Sequence, residues 1–167
     1  MSVYVEAPVV VWWEWTRHRF MSLGTEDTAF SLESGRYKVL EGQFYFPPTD
    51  RPCFEPEGFK PMSPSLSAEG DRYGIDRSLK YIYHAAWISY KDMICGGAAR
   101  EVARLALPFG LYYAGYVSAV PRTWLQFFSL RKNDPQAAAA TYPQWEIEQA
   151  CVKCEAFFAE RWPIIYE

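Results

Sequence analysis

The chain has 167 residues, half of them hydrophobic and 22% charged, with a formal net charge of −3. That length suits one domain able to bury about two thirds of its unfolded surface, and the composition excludes disorder as the default state. The charge offers no general basic face for nucleic acid, no apolar run reaches the ~18 residues of a membrane span, and no cleavable leader pattern opens the chain. A cytoplasmic protein with no nucleic-acid or membrane partner is expected.

In chain order, residues 2–6 alternate Val and Tyr with polar residues and predict a short strand. Pro8 suits a first helical turn, and residues 9–19 then predict a Val- and Trp-rich helix ending in Arg17-His18-Arg19. Residues 20–35, with Gly24, Gly35 and several Ser and Thr, predict a loop. Residues 37–47 are rich in Tyr, Val and Phe and predict a strand stopped by Pro47-Pro48. A polar, Pro-rich loop over 49–68 follows, of a length that compact domains usually reserve for function. Residues 71–94 predict a long helix broken by Gly96-Gly97, and 98–107 a second helix stopped by Pro108. Residues 111–120 predict a strand, 121–131 a helix opened by Pro121, 132–142 a spacer, and 144–161 a last helix. With no internal repeat and no boundary, residues 1–167 are expected to form one α/β (α+β) domain, a short sheet with long helices.

Four cysteines occur, and Cys151 and Cys154 form a lone CxxC inside a helical pattern. Without a second CxxC or a His pair at zinc spacing, they are expected to be reduced thiols, and no metal site is expected.

Six arginines stand beside apolar or aromatic runs: Arg17, Arg19, Arg36, Arg104, Arg122 and Arg131. A guanidinium donates two parallel hydrogen bonds to a phosphate, which makes these the candidate binding groups. Arg100 and Arg104 share a helical face, with Leu105 and Leu107 on an apolar one. Arg122 and Gln126 share another face, while Arg131 points nearly opposite, as if that helix met two different neighbours. Gly35 would let the backbone approach a ligand beside Ser34 and Arg36. His18, between two arginines, is expected to stay neutral. Each feature has an ordinary structural explanation as well. The basic cluster can simply end a helix, Ser34-Gly35-Arg36 can be a turn, Arg100 and Arg104 can be a solvated face, and His84 can be a packed or surface residue. Neither histidine has a Ser or Cys nucleophile beside it, and no Walker or dinucleotide glycine pattern occurs.

The ordered motifs resemble the flavin-dependent thymidylate synthases. Their signature is RHR followed by S-x-R-Y, as in Arg17-His18-Arg19 and Ser34-Gly35-Arg36-Tyr37. An apolar helix precedes it, and Phe44-Tyr45-Phe46-Pro47 is similar to the family's F-Y-x-P strand. Residues 100–108 are similar to its R-E-x-A-R-x-x-L-P segment, residues 122–131 to its R-S-L-x-N-F-L-x-L-R segment, and Gln144-Trp145-Glu146-Ile147 to the start of its last helix.

That resemblance implies C5 methylation of a uracil nucleotide by a homotetramer with shared sites, using FAD, NADPH and 5,10-methylenetetrahydrofolate. It implies that Arg17, Ser34, Gly35 and Arg36 hold the nucleotide with Arg104 of a neighbouring subunit. Arg17, His18, Arg19, Phe20, Arg122 and Gln126 would face FAD, and Arg131 would stabilise negative charge on the uracil ring. The cofactor carries the hard step, so a missing nucleophile is expected.

Three departures qualify it. The spacer between Arg19 and Ser34 is longer than the family's, so either Glu26 or Glu33 can stand for its acidic residue. Glu14 occupies a position that is usually Gln, and its carboxylate would repel a phosphate. Nothing corresponds to the family's N-terminal region with its His/Thr flavin motif, and the C-terminus is short. A compact branch, the UMP/dUMP C5-methylases of peptidyl-nucleoside antibiotic pathways such as polyoxin biosynthesis, shares this reduction. UMP, with dUMP also accepted, is therefore the expected substrate. Ordinary synthesis of dTMP from dUMP and a non-catalytic flavin- or nucleotide-binding homologue are the alternatives.

Overall fold

The computed structural model describes residues 1–18, 28–55, 70–134 and 141–166. Its centre is a three-stranded antiparallel sheet in the order β1-β3-β2, made of β1 (Ser2–Pro8), β2 (Thr28–Leu32) and β3 (Tyr112–Ala119). Around it lie α1 (Val9–Trp15), α2 (Arg72–Cys95), α3 (Arg100–Ala103), α4 (Pro121–Arg131), α5 (Trp145–Arg161) and α6 (Pro163–Tyr166). A 3-10 turn over Arg104–Ala106 extends α3.

The alternation in β1 aims Val3, Val5 and Ala7 at a core shared with α1, α4 and α5. Pro8, with extended backbone, caps α1 instead of occupying its first turn. Trp15 of α1 stacks on Phe127 of α4 at 4.9 Å and meets Trp124 edge-on, while Phe128 meets Phe158 of α5. Cys151 and Cys154 are free thiols buried in this core, and burial raises each pKa to about 12. A smaller cluster of Leu40, Tyr90, Ala103 and Leu111 joins α2 and α3 to the sheet. There the Leu40 backbone N–H donates to the Tyr90 hydroxyl at 3.0 Å.

Several expectations change. The helix expected to reach Arg19 stops at Trp15, and a turn carries Thr16 to His18, with the Arg17 and His18 amides donating to Glu14 and Trp15 carbonyls. The basic cluster therefore follows the helix's C-cap, Thr16, instead of forming its last turn. Residues 28–32, expected in a loop, form β2, and residues 37–47 form no strand. Both long edges of β3 are occupied, by β1 and β2, and among the described residues the second run meets the sheet's end at the Phe44–Leu111 bridge. The helix expected over 98–107 is one short turn of α-helix followed by a 3-10 turn, and Leu105 is 80% exposed. By contrast α2 lies where expected, capped by the Asp71 carboxylate accepting from the Gly74 amide at 2.7 Å and ended at Gly97, whose φ is +82°. The long loop and the spacer fall largely on residues 56–69 and 135–140, outside the described residues.

Gly115 sits in the central strand opposite Val5 on one side and Leu32 on the other. A Cβ there would lie 2.6 Å from the Ser31 carbonyl oxygen, a backbone atom that moves only if β2 moves. Gly115→Ala is expected to destabilise the protein by about 1–3 kcal/mol, read as a lower urea midpoint. An unchanged midpoint would show that β2 gives way freely.

Candidate active site

Three chain segments meet at the end of α1. Glu14 comes from its last turn, Arg17 and His18 from the turn that follows, and Arg131 from the last residue of α4. The Nε–H of Arg131 donates to His18 Nε2 at 2.7 Å, and its Nη1 lies 3.3 Å from Glu14 Oε2. The other Glu14 oxygen is 3.0 Å from Arg17 Nη1. One carboxylate thus bridges two guanidinium groups, Arg17 mostly exposed and Arg131 only 19% exposed in its side chain. The arrangement follows from the core: Trp15, Trp124 and Phe127 pack α1 on α4 and bring the two helix ends together.

The His18 ring is 5% exposed and meets Phe127 edge-on at 5.2 Å. Burial chiefly, then the charge of Arg131 and then that of Arg17, lower its pKa from 6.5 to about 4. The expected neutral state holds, but flanking charge is the lesser cause. With the folded pKa depressed, the unfolded chain binds the extra proton between these two values. Stability is therefore expected to fall as pH drops from about 6.5 towards 4, read as a declining melting temperature, and His18→Gln is expected to flatten that slope. An equal slope in the variant would show that His18 does not set it.

A second group surrounds the turn over residues 34–37. The Arg36 amide donates to Ser34 Oγ at 3.3 Å, and the Arg36 Nε–H donates to Glu101 at 3.0 Å. Arg100 donates to the Tyr37 carbonyl at 2.6 Å, and Lys38 pairs with Glu33 at 2.6 Å. Gly35 is buried, and a Cβ there would lie 2.8 Å from Leu40 Cδ1 and 3.3 Å from the Tyr113 hydroxyl. Arg104 is half-buried nearby and acts on the Tyr113 phenol, whose pKa burial raises and Arg104 partly lowers.

Thus the structure brings Arg17, His18 and Arg131 into one cluster and Glu33, Ser34, Gly35 and Arg36 into another. Arg122 and Gln126 share the exposed face of α4, whose opposite face buries Thr123, Trp124, Phe127 and Phe128. That helix rests one face on the core and leaves the face with Arg122 and Gln126 exposed, and only its end residue Arg131 turns aside. Arg19, Phe20 and Glu26 lie outside the described residues. Sequence reasoning missed the pairing of Glu101 with Arg36 and the role of Glu14 as a bridge. Charge at these positions was visible, but the partners are distant in sequence. His84 is exposed on α2.

Elsewhere, a cavity of about 430 Å³ lies between β1 and α5 beside Tyr45 and Glu146. None of the predicted site residues lines it. Among the described residues no group of His, Cys, Asp and Glu is placed to hold a metal ion, and no helix is long and apolar enough to cross a membrane.

The family described as "Thymidylate synthase complementing protein" matches residues 1–164. A flavin-dependent thymidylate synthase of Streptomyces avermitilis is 33% identical over 168 aligned positions, covering 99% of this chain and 65% of the relative. Its counterpart in Streptomyces coelicolor is 32% identical, with 99% and 65% covered. The crystal structure of the UMP/dUMP methylase PolB from Streptomyces cacaoi, bound with 5-Br UMP, superposes with a TM-score of 0.87 at 31% identity, over 96% of this chain and 68% of that one. The same methylase bound with 5-Br dUMP gives a TM-score of 0.83. The chain spans 65% of the length of the two synthases and 68% of the methylase bound with 5-Br UMP, so the shortness expected to be shared with the methylase branch is not shared. The small antiparallel sheet with its surrounding helices is the fold these structures share with it.

Proposed function

Because this chain belongs to the thymidylate synthase complementing protein family, we propose that it catalyses FAD-dependent C5 methylation of uracil nucleotides, UMP and also dUMP. The carbon donor is 5,10-methylenetetrahydrofolate, NADPH is the reductant, and residues 1–167 act as one catalytic domain in the cytoplasm. The observation that carries the reading is the meeting of Arg17 and Arg131, far apart in the chain, on one carboxylate beside a buried neutral histidine.

Arg131 stabilises the negative charge that develops on the uracil ring, because a guanidinium held away from bulk water interacts strongly with such charge. Ser34, Gly35 and Arg36 hold the phosphate, Gly35 allowing close approach and Arg36 exchanging Glu101 for the ligand. Glu33 or Glu26 supplies the acidic group of that segment. Arg17 and Arg104 complete the nucleotide site.

The residues present fit a flavin dinucleotide. Arg122 and Gln126 are exposed one helical turn apart, and Arg17 is 62% exposed, so cationic and amide donors are open to a pyrophosphate. With Arg19 and Phe20 they form the FAD side of the site, which the buried His18 backs. Bound FAD, once reduced, supplies the electrons that complete the methyl group, which removes the need for a protein nucleophile.

A homotetramer with shared sites would bring Arg104 of one subunit to the nucleotide held by Arg17, Ser34, Gly35 and Arg36 of another. Tyr73, Tyr81, Ile82, Ile88 and Met93, all exposed on α2, are consistent with such self-association.

The test is incubation of FAD-loaded protein with the folate donor and NADPH, supplied with UMP or dUMP side by side. Mass spectrometry is expected to find the 5-methyl product of both. Product from dUMP alone would reduce the reading to thymidylate synthesis, and product from neither would sink it.

A further inference from the structure

We propose that His18 is a positioning residue, whose Nε2 holds the Nε–H of Arg131 and so aims the rest of that guanidinium at the substrate. The inference rests on the role given above to Arg131. Three observations support it.

The first is the donor arrangement. Nε of Arg131 is engaged by His18 and Nη1 by Glu14, and among the described residues no hydrogen bond uses Nη2. Two fixed points on a planar group define its orientation, leaving the Nη2 donors for a ligand.

The second is the rigidity behind the acceptor. His18 meets Phe127 edge-on with an interplanar angle of 88°, and Phe127 stacks on Trp15 with an angle of 7°. Trp15 is 1% and Phe127 2% exposed. The imidazole therefore leans on packed core, and Arg131 leans on the imidazole.

The third is protonation. An N–H donor pointing at Nε2 requires a lone pair there, which assigns the ring proton to Nδ1. Burial and the neighbouring arginines keep the ring neutral, so the acceptor persists at physiological pH. A histidine serving only as packing would need no such acceptor.

The experiment compares His18→Gln, which places an amide oxygen near the former Nε2, with His18→Phe, which fills the space without an acceptor. Methylation of UMP is measured for both, in the parent and in Arg131→Gln. His18→Phe is expected to lower kcat on the order of tenfold to a hundredfold, with a smaller change in KM, because slight misplacement of a charge-stabilising group is costly. His18→Gln is expected to recover most of that loss. In the Arg131→Gln background His18→Phe is expected to add no further loss, since the residue acts through Arg131. Equal damage by both His18 variants, or additive losses in the double variant, would overturn the proposal. Should the parent methylate nothing, the functional reading fails instead. Calorimetric titration with UMP then decides the brace: weaker binding by His18→Phe than by His18→Gln supports it, and equal binding by the parent and both variants overturns it.

Discussion

Arg131→Gln is expected to lower kcat for UMP methylation about 10²–10³-fold while the protein stays folded. Removing one preorganised donor at a site of developing charge typically costs that much. The fold survives because Glu14 keeps its second partner, Arg17, at 3.0 Å, so truncation strands no carboxylate. Arg131→Lys is expected to be nearly as slow, since an ammonium retains the charge but cannot satisfy His18 and Glu14 while presenting further donors in the same plane. Steady-state kinetics alongside thermal melting would check both parts. Full activity in Arg131→Gln would remove this residue from the chemistry.

Glu146→Ala is expected to be the most damaging single change to stability. Its side chain, 6% exposed, accepts from Arg51 Nε at 2.7 Å and from the Tyr45 hydroxyl at 2.8 Å. Burial by itself would raise the Glu146 pKa, but hydrogen bonds from Arg51 and Tyr45, joined by its own backbone amide and the charge of Arg51, outweigh it and lower the carboxyl from its ordinary value. Tyr45 is pushed up, chiefly by burial and then by its bond to Glu146. Truncation leaves a half-buried guanidinium and a phenol without their acceptor, a loss of about 3–5 kcal/mol by the usual cost of breaking such a pair. Glu146→Gln keeps an acceptor and the volume, so a smaller loss is expected in the urea midpoint. If the two variants lose equally, charge matters more than hydrogen bonding. Because the folded pKa is lowered, the stabilisation is complete above the ordinary carboxylate value and is lost as pH falls through the lowered one. This trio also ties the start of α5 to the segment after the Phe44 bridge. Its effect is therefore on the scaffold, away from Arg131.

Periodicity identified the elements whose environment is one-sided. The strand at β3 and the helices α2, α4 and α5 lie within a few residues of their expected bounds, because apolar spacing and Pro or Gly punctuation act locally. The strand expected at 37–47 failed for a non-local reason. Tyr37 is 77% and Val39 48% exposed in a segment whose composition suits a sheet, but both edges of β3 are already paired. A short, weakly patterned run at 28–32 took that edge instead. Leu105 similarly looked like core, but α3 is too short to present a continuous apolar face.

Family membership was legible along the chain, in the order of Arg17-His18-Arg19, Ser34-Gly35-Arg36-Tyr37 and the arginine-bearing segments ending at Arg131. So was the placing of charged residues beside apolar runs, since that is a matter of neighbours along the chain. Their partners were set by the folded packing instead. Glu14 bridges Arg17 and Arg131, His18 accepts from Arg131 rather than ending a helix, and Glu101 reaches Arg36. Those pairings depend on how Trp15, Trp124 and Phe127 pack one helix end against another. Such packing is a property of surfaces meeting in space, to which spacing along the chain is blind.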